Sequence, residues 1–328
     1  MTVTLADVAR ACRISTSTVS RALSDPDKVK PETRQHVQRI AREMGYAPNS
    51  VARALSVGRT DVIGLIVPDI ANPFFPPIIK AVQARAGHRD TAVLLADTDE
   101  NASDELERAR VMSRQVDGLI LVSPRTRDER LGEFIRGAPV VFVNRRVEGA
   151  PSVIVENSDG IDQAVQHLIA LGHRSICYLG GPRRSWSNQQ RRAAMTAACT
   201  KYGADLTEFG PFEPQVQAGA RAADLVRTSK TTAVIAYDDL IALGLMARLA
   251  EHQLRAGRDF SVIGIDDSPM SGAAYPTLTS IHVPGAEAGS VAVDLLLDRH
   301  VDDDNPAPII ELETRLIIRG STGPPPSS

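Results

Sequence analysis

Cysteine is scarce: Cys12, Cys177 and Cys199 are the three thiols in 328 residues, an odd number with no CxxC pair. That excludes a disulfide framework and a zinc-finger ligand set, and fits a reducing compartment. Aromatic residues make up 4% of the chain, with one tryptophan, Trp186. No apolar run approaches the roughly 20 residues of a membrane-spanning helix, and the N-terminus has no apolar signal stretch. Catalytic signatures are missing too. There is no GxGxxG after an apolar run, no GxxxxGK, no HExxH and no GxSxG elbow. Gly180-Gly181-Pro182 lacks the lysine and the further glycine of a phosphate loop. The seven histidines are dispersed, and His167 and His173 do not have metal-ligand spacing. The expectation is a protein that is not an enzyme and has no metal or cofactor.

What is present is an ordinary globular composition, 43% hydrophobic and 23% charged, with length for two or three domains. The charge is uneven. Residues 1–60 hold ten Lys or Arg against five acids, a net +5, so the chain's −3 leaves −8 on the remainder. A basic head on an acidic body points to a polyanion as the partner of the head.

Within that head the stretch Ile14–Leu23, ISTSTVSRAL, reads as a short helix. Ile14, Val19, Ala22 and Leu23 give an inward face, while Thr16, Ser17, Ser20 and Arg21 point outward. Ser15 is positioned as its N-cap. Upstream, Thr4 and Asp7 have capping-box spacing ahead of Leu5, Val8, Ala9 and Cys12. Two short helices at a tight turn describe a helix-turn-helix. Its slim second helix suits the DNA major groove, where Thr16 and Ser17 can donate or accept and Arg21 matches the two acceptors of guanine. A third helix follows from Pro31, with Val37, Ile40, Ala41 and Met44 as its buried stripe and Gly45 as its end. Next, Asn49 or Ser50 can cap a marginal helix that Gly58 stops. It carries Val51 and Leu55, as a minor-groove wedge folding on DNA or as a linker helix packed on the domain below.

From Asp61 the texture changes to apolar runs alternating with helical segments: VIGLIVP, TAVLLAD, GLILVSP, PVVFVN, SICYLGG, TAVIAYD and FSVIGIDD. Such runs mean parallel sheets covered on both faces, and their length suits two α/β lobes. Ligands in such folds sit beyond the carboxyl ends of the strands. Those positions carry Asp69, Asn72, Phe74, Phe75, Ser123, Asn144, Arg145, Asp238, Asp239 and Asp266, a set suited to a small hydroxyl-rich ligand.

These stretches resemble the LacI/GalR family of bacterial transcription regulators. The resemblance is carried by TLADVARACRISTSTVSRALSD, ETRQHVQRIAREMGYAPNSVARALSVGRT, IGLIVPDIANPFF, VDGLILVSP, GHRSICYLGGP, DDLIALG and VIGIDDSP, in family order over nearly the whole chain. It implies an all-α helix-turn-helix head and a periplasmic-binding-protein-like α/β effector domain of two lobes. The divisions would be 1–48 for the head, 49–60 for the hinge helix and linker, 61–320 for effector binding and dimerisation, and 321–328 for a flexible tail. Lobe one would take 61–156 and 287–306, and lobe two 157–286 and 307–320, with crossings near 157, 286 and 306. Thr16, Ser17, Ser20 and Arg21 would meet bases, Leu55 would enter the central minor-groove step, and Asn49, Arg53 and Ser56 would support it. The ligand would touch Asp69, Asn72, Phe74, Phe75, Ser123, Asn144, Arg145, Ser187, Arg191, Phe212, Asp238 and Asp266. Two positions depart from the family pattern: Asp238 stands where sugar-binding relatives often carry Asn, and Val283 follows His282 where many carry Gln.

The implied function is a cytoplasmic, nucleoid-associated repressor, a homodimer on a pseudo-palindromic operator and away from membranes. A small polar effector, foremost a sugar or sugar derivative, would control its operator affinity. A purine- or nucleoside-responsive corepressor-type regulator is the alternative, and a solute-binding protein is the rival from another class.

Overall fold

The computed structural model describes residues 3–24, 28–46, 59–298 and 306–326. They fall into two compact units, divided between Thr60 and Asp61.

In the first unit, helices α1 (Leu5–Cys12), α2 (Thr16–Ser24) and α3 (Pro31–Glu43) enclose a small core of Val8, Ala9, Cys12, Val19, Ala22, Val37 and Ala41. The Thr4–Asp7 capping box forms in full: each residue's side chain accepts the other's backbone amide. Arg13 then turns the chain in the left-handed region, at φ 55°, and Ser15 Oγ accepts the Thr18 amide at 3.2 Å. Ile40 and Met44 are only partly buried, so the stripe of α3 is narrower than its spacing suggests. A three-helix core this thin leaves its rim half-wet.

The second unit holds two six-stranded sheets. Lobe one is built on β1 (Val62–Val67), β2 (Ala92–Asp97), β3 (Gly118–Val122), β4 (Val140–Val143), β5 (Ser152–Glu156) and β11 (Ile309–Glu313). Their order is β11-β5-β4-β3-β1-β2, and every pairing is parallel. Lobe two is built on β6 (Ser175–Leu179), β7 (Asp205–Phe209), β8 (Ala233–Ala236), β9 (Ser261–Asp266), β10 (Thr279–His282) and β12 (Arg315–Ile317). Their order is β12-β10-β9-β8-β6-β7, parallel except for β12 against β10. The central strands are buried end to end, as helices on both faces require.

The connecting helices are α4 (Phe75–Gly87), α5 (Ala102–Met112) and α6 (Asp128–Ile135) in lobe one. Lobe two has α7 (Ser158–Ala170), α8 (Trp186–Tyr202), α9 (Val216–Thr228), α10 (Asp239–Glu251) and the short α11 (Pro269–Ala273). The last helix, α12 (Gly285–Leu297), returns to lobe one and packs along α4.

Two expectations need correction. The third crossing between lobes is at Thr314, not near 306, because Ile309–Glu313 adds an edge strand to lobe one beside β5 before β12 enters lobe two. An edge strand faces solvent on one side, so IIELE lacks the continuous apolar run that marked the inner strands. Nor are residues 321–326 a loose tail. Ser321 is fully buried, its Oγ donating to Val262 O at 2.5 Å and accepting the Thr279 amide at 2.8 Å. Gly323 O accepts from Ser261 Oγ and meets His173 Nε2, both at 2.9 Å. Lobe two supplies the partners that proline-rich composition alone does not reveal.

The crossings are tied together. Buried Thr314 donates from Oγ1 to Glu156 O at 2.8 Å and accepts the Gly160 amide at 3.2 Å, which fastens the third crossing to the first. Elsewhere α9 and α10 approach backbone to backbone. A Cβ on Gly219 would lie 2.0 Å from Ile241 O, and one on Gly244 would lie 1.9 Å from Val216 O. Gly244→Ala should therefore force this helix pair apart and cost about 2–3 kcal/mol, at the upper end for overpacking. Urea unfolding of the variant is expected to show a lowered midpoint; an unchanged midpoint would mean that the helices can separate freely.

Candidate functional site

In the head, Val19 and Ala22 of α2 are fully buried, and this fixes which way the rest of the helix faces. Thr16, Ser17, Ser20 and Arg21 are all exposed on the opposite side. Ser17 Oγ and Thr18 Oγ1 both lie within hydrogen-bond reach of Ser15 Oγ, at 2.9 and 2.8 Å, so the start of the helix is a small hydroxyl cluster. Asn49, Arg53, Leu55 and Ser56 lie outside the described residues.

In the α/β unit, a narrow cleft between the lobes is lined by Asn72, Phe74 and Phe75 after β1, Ser123 and Arg125 after β3, and Asn144 after β4. Lobe two lines it with Arg191 of α8, the loop residue Pro214, Tyr237 and Asp238 after β8, and Asp266 at the end of β9. These are strand carboxyl ends, several at points where neighbouring connections diverge, which is where open α/β sheets bind ligands. Eight of the twelve residues expected to touch a ligand line this cleft. Arg145 and Ser187 are buried close behind in sequence. Asp69 does not line it, since its Oδ1 accepts the Ala71 amide at 2.7 Å within its own turn. Phe212 packs on the lobe-two core. Arg125 and Tyr237 escaped the sequence reading although each adjoins a residue that was read, Arg125 two places after Ser123 and Tyr237 directly before Asp238. Pro214 carries no sequence signal.

Three lining residues have left-handed backbones: Ser123 at φ 47°, Asn144 at 56° and Asp266 at 119°. Non-glycine residues rarely sit there, and such strain concentrates at ligand clamps. Around them the charges are committed. Arg125 grips Glu100 through two bonds of 2.7 and 2.9 Å. Arg145 Nη2 reaches Asp128 at 2.6 Å. Arg191 donates to Asn157 Oδ1 at 3.0 Å and to the Tyr237 carbonyl, stands 3.6 Å from Asp266 and lies over the Tyr237 ring at 4.8 Å. Asp239 turns away from the cleft, accepting from the Ser268 amide and the Ser271 and Ser280 hydroxyls.

Polar atoms are nevertheless left over. Among the described residues, the buried side-chain atoms with no hydrogen-bond partner are Asn144 Oδ1, Arg145 Nε, Ser187 Oγ and Asp238 Oδ2. All four belong to the set that strand ends and resemblance selected. An unpaired buried polar group costs roughly 1–3 kcal/mol, so two on residues lining the cleft, Asn144 and Asp238, and two on residues close to lining positions in the chain mark a place kept ready for something else to bond. They comprise a donor, two acceptors and a hydroxyl that can do either.

Burial dominates the local acidity. It pushes Asp238 up to about 7, against the Ile241 amide that caps onto it and with Asp239 adding repulsion. It also holds Asp266 well above the ordinary carboxylate range, although Arg191 works against it.

A helix-turn-helix with a polar reading face, joined to a two-lobed clamp around a polar cleft, defines a DNA-binding protein built to respond to a small molecule. Comparisons with known proteins agree. The model of bacterial regulatory proteins, lacI family, matches residues 4–49, and that of the periplasmic binding protein-like domain matches 165–322. The chain is 32% identical to the HTH-type transcriptional repressor CytR of Escherichia coli (strain K12), over 97% of this chain and 96% of that one. Its fold is similar to the lac repressor dimer bound to operator and the anti-inducer ONPF, with a TM-score of 0.89 and 27% identity over 98% of this chain and 100% of that one. It is also similar to a complex of the transcriptional regulator CelR with cellobiose, with a TM-score of 0.71 and 30% identity over 97% and 99%. The chain belongs to the LacI family of bacterial transcription regulators. It is a DNA-binding regulator and not an enzyme.

The raised pKa of Asp238 has a sign that can be checked. A carboxyl raised on folding contributes stability below its unfolded value near 3.8, and that stability is lost as pH rises through about 7. Asn keeps the cap without the charge. Asp238→Asn should therefore raise the melting temperature by several degrees at about pH 8 and by less than half as much at about pH 5, because the loss builds up between about 3.8 and 7. Calorimetry at the two pH values tests this; equal shifts at both would mean that Asp238 carries no buried charge.

Proposed function

We propose that this chain acts as a homodimeric, cytoplasmic repressor at the nucleoid, its grip on a pseudo-palindromic operator set by a small polar effector, most simply a sugar or sugar derivative. Residues 1–48 are the reading head, 49–60 the hinge and 61–320 the effector-binding and dimerisation domain, with the lobe exchange at Thr314. The observation that carries this reading is that two residues lining the cleft, Asn144 and Asp238, keep a buried polar atom without a partner, as do Arg145 beside Asn144 and Ser187 one helical turn before Arg191, chemistry that hydroxyls satisfy. The relatives point the same way: one is seen with operator and an anti-inducer, another with cellobiose.

The physical account has two parts. Basic residues of the head supply a salt-dependent, sequence-independent hold on phosphates, and Thr16, Ser17, Ser20 and Arg21 supply base discrimination. Asn49, Arg53, Leu55 and Ser56 would extend the contact into the minor groove, where an inserted leucine couples bending to affinity. Two linked heads bind with a high effective concentration. The effector, drawing on Asn72, Phe74, Phe75, Ser123, Asn144, Arg145, Ser187, Arg191, Asp238 and Asp266, with Asp69 and Phe212 at the margin, favours one lobe arrangement. It changes operator affinity by as much as it prefers that arrangement and no more.

Two variants separate the parts. Arg21→Ala should lose about 1–3 kcal/mol of discrimination between operator variants while keeping much of its non-specific binding. Competition binding on a set of altered operators reads this, and an unchanged ranking removes Arg21 from base contact. Ser187→Ala deletes a hydroxyl that makes no internal bond, so unliganded stability should not fall. The effector concentration for a half-maximal change in operator binding should rise roughly fivefold, the worth of about one hydrogen bond. A thermal-shift panel of sugars identifies the effector for that assay; if no small polar molecule shifts either melting or operator binding, the effector reading fails.

A further inference from the structure

We infer that the effector is an amino sugar, whose protonated amine pairs with the free carboxylate oxygen of Asp238 while its hydroxyls take the neighbouring polar groups. This rests on the cleft being the effector site. The argument is one of charge balance in a place that water scarcely reaches.

Asp238 is 2% exposed. One of its oxygens, Oδ1, accepts the Ile241 amide at 2.8 Å and is spent on capping α10. The other, Oδ2, has no partner at hydrogen-bond distance and geometry, although the Asn72 amide of lobe one acts on the carboxyl in favour of its charged form. The groups that face Asp238 are Asp239 beside it, Arg191 from α8, Asp266 beyond it, and the Asn72 amide from lobe one. Arg191 is the one cation among these. Its guanidinium is already engaged by Asn157, by the Tyr237 carbonyl and by Asp266. Of the other two guanidiniums of the cleft region, Arg125 is held by Glu100, and Arg145 meets Asp128 through Nη2, leaving its buried Nε without a partner. Glu105 is buried there as well, accepting the Arg125 and Thr126 amides. Three guanidiniums thus stand among five buried or partly buried carboxyl groups, Glu100, Glu105, Asp238, Asp239 and Asp266, with Asp128 a sixth that is exposed.

A buried carboxylate without a cation is costly, and in isolation it takes up a proton instead. A ligand ammonium removes that cost by supplying the missing charge together with up to three donors. A neutral sugar supplies donors but no charge. Asn144 Oδ1 and Ser187 Oγ, both without partners, then remain for hydroxyls, and the Phe74 and Phe75 rings, 5.0 Å apart edge to face, offer an apolar wall to ring C–H groups. A flexible polyamine would leave these unused, so a ring bearing both hydroxyls and an amine fits the set better. Because Asp238 is poised at about 7, binding such a cation also drives off its proton.

The test uses the full-length protein and three sets of probes: D-glucosamine with D-glucose and N-acetyl-D-glucosamine, and the corresponding galactose and mannose sets. Affinity is measured by calorimetry near pH 7, with operator binding followed in parallel. The expected result is that in at least one set the free amine binds tenfold or more tighter than both neutral members, and that Asp238→Asn brings the three to within about threefold. A second measurement needs no variant: affinity of wild-type protein for the amine should drop several-fold from about pH 7 to about pH 5.5, where Asp238 is protonated and the amine stays charged. The inference is overturned if neutral members bind as tightly in every set, if the preference survives Asp238→Asn, if the pH change has no effect, or if no amine binds. Tight binding of a neutral sugar that alters operator affinity would overturn the amine alone and leave the repressor reading in place.

Discussion

Arg191 holds lobe two's half of the cleft in shape. Its guanidinium is buried to within 3% of full enclosure and ties together three separate pieces of chain: Asn157 at the first crossing, Tyr237 through both its carbonyl and its ring, and Asp266. Leaving one member of a buried charge pair without its partner costs about 3–5 kcal/mol, so these pieces are bound to one geometry by a single cation. That geometry sets Asp238 and Asp266 at the cleft, where their carboxyls cannot both rely on Arg191. Beside it, Asp266 keeps a left-handed backbone and Asp238 an oxygen without a hydrogen bond.

The remainder of the α/β unit turns this local arrangement into a property of two lobes. Each lobe has its own core, and the chain passes between them at Glu156–Gly160, between β10 and α12, and at Thr314. With Thr314 bonded to both Glu156 and Gly160, the first and third crossings do not move independently. A ligand that bonds Asn144 on one side and Ser187 or Asp238 on the other therefore acts on the lobe arrangement as a whole. The energy available for regulation is the difference in those bonds between two arrangements, typically about 1–3 kcal/mol.

Much of this was legible beforehand. All seven apolar runs became strands. Six are inner strands, whose burial on both faces demands such runs, and the seventh, β2, is an edge strand that kept an apolar run without being buried. Inner β5 and β10 gave no such run. The exposed face of α2 was legible because Val19 and Ala22 at helical spacing leave one orientation for Thr16, Ser17 and Arg21. Edge and short strands were not: DLTEF (β7) and IIELE (β11) mix polar with apolar residues because one side meets water. The buried role of Ser321–Gly323 was hidden for a related reason, since its partners Ser261 and His173 are distant in sequence. At the cleft, the rule of looking past strand ends found Asn72, Ser123, Asn144, Asp238 and Asp266. It passed over Arg125 and Tyr237, which sit beside the positions it chose.

By itself the amino-acid sequence determined the division into a basic three-helix head and an α/β body, the parallel character of the sheets, and the residue types gathered at their carboxyl ends. All of these follow from local spacing, burial periodicity and chain order. Only the tertiary structure decided which carboxylates are answered by a cation and which are not, where the third crossing falls, and that the chain after β12 is locked into lobe two. Those outcomes depend on distances between residues far apart in the chain. A carboxyl group reads the same in sequence whether a guanidinium beside it is free or already engaged elsewhere.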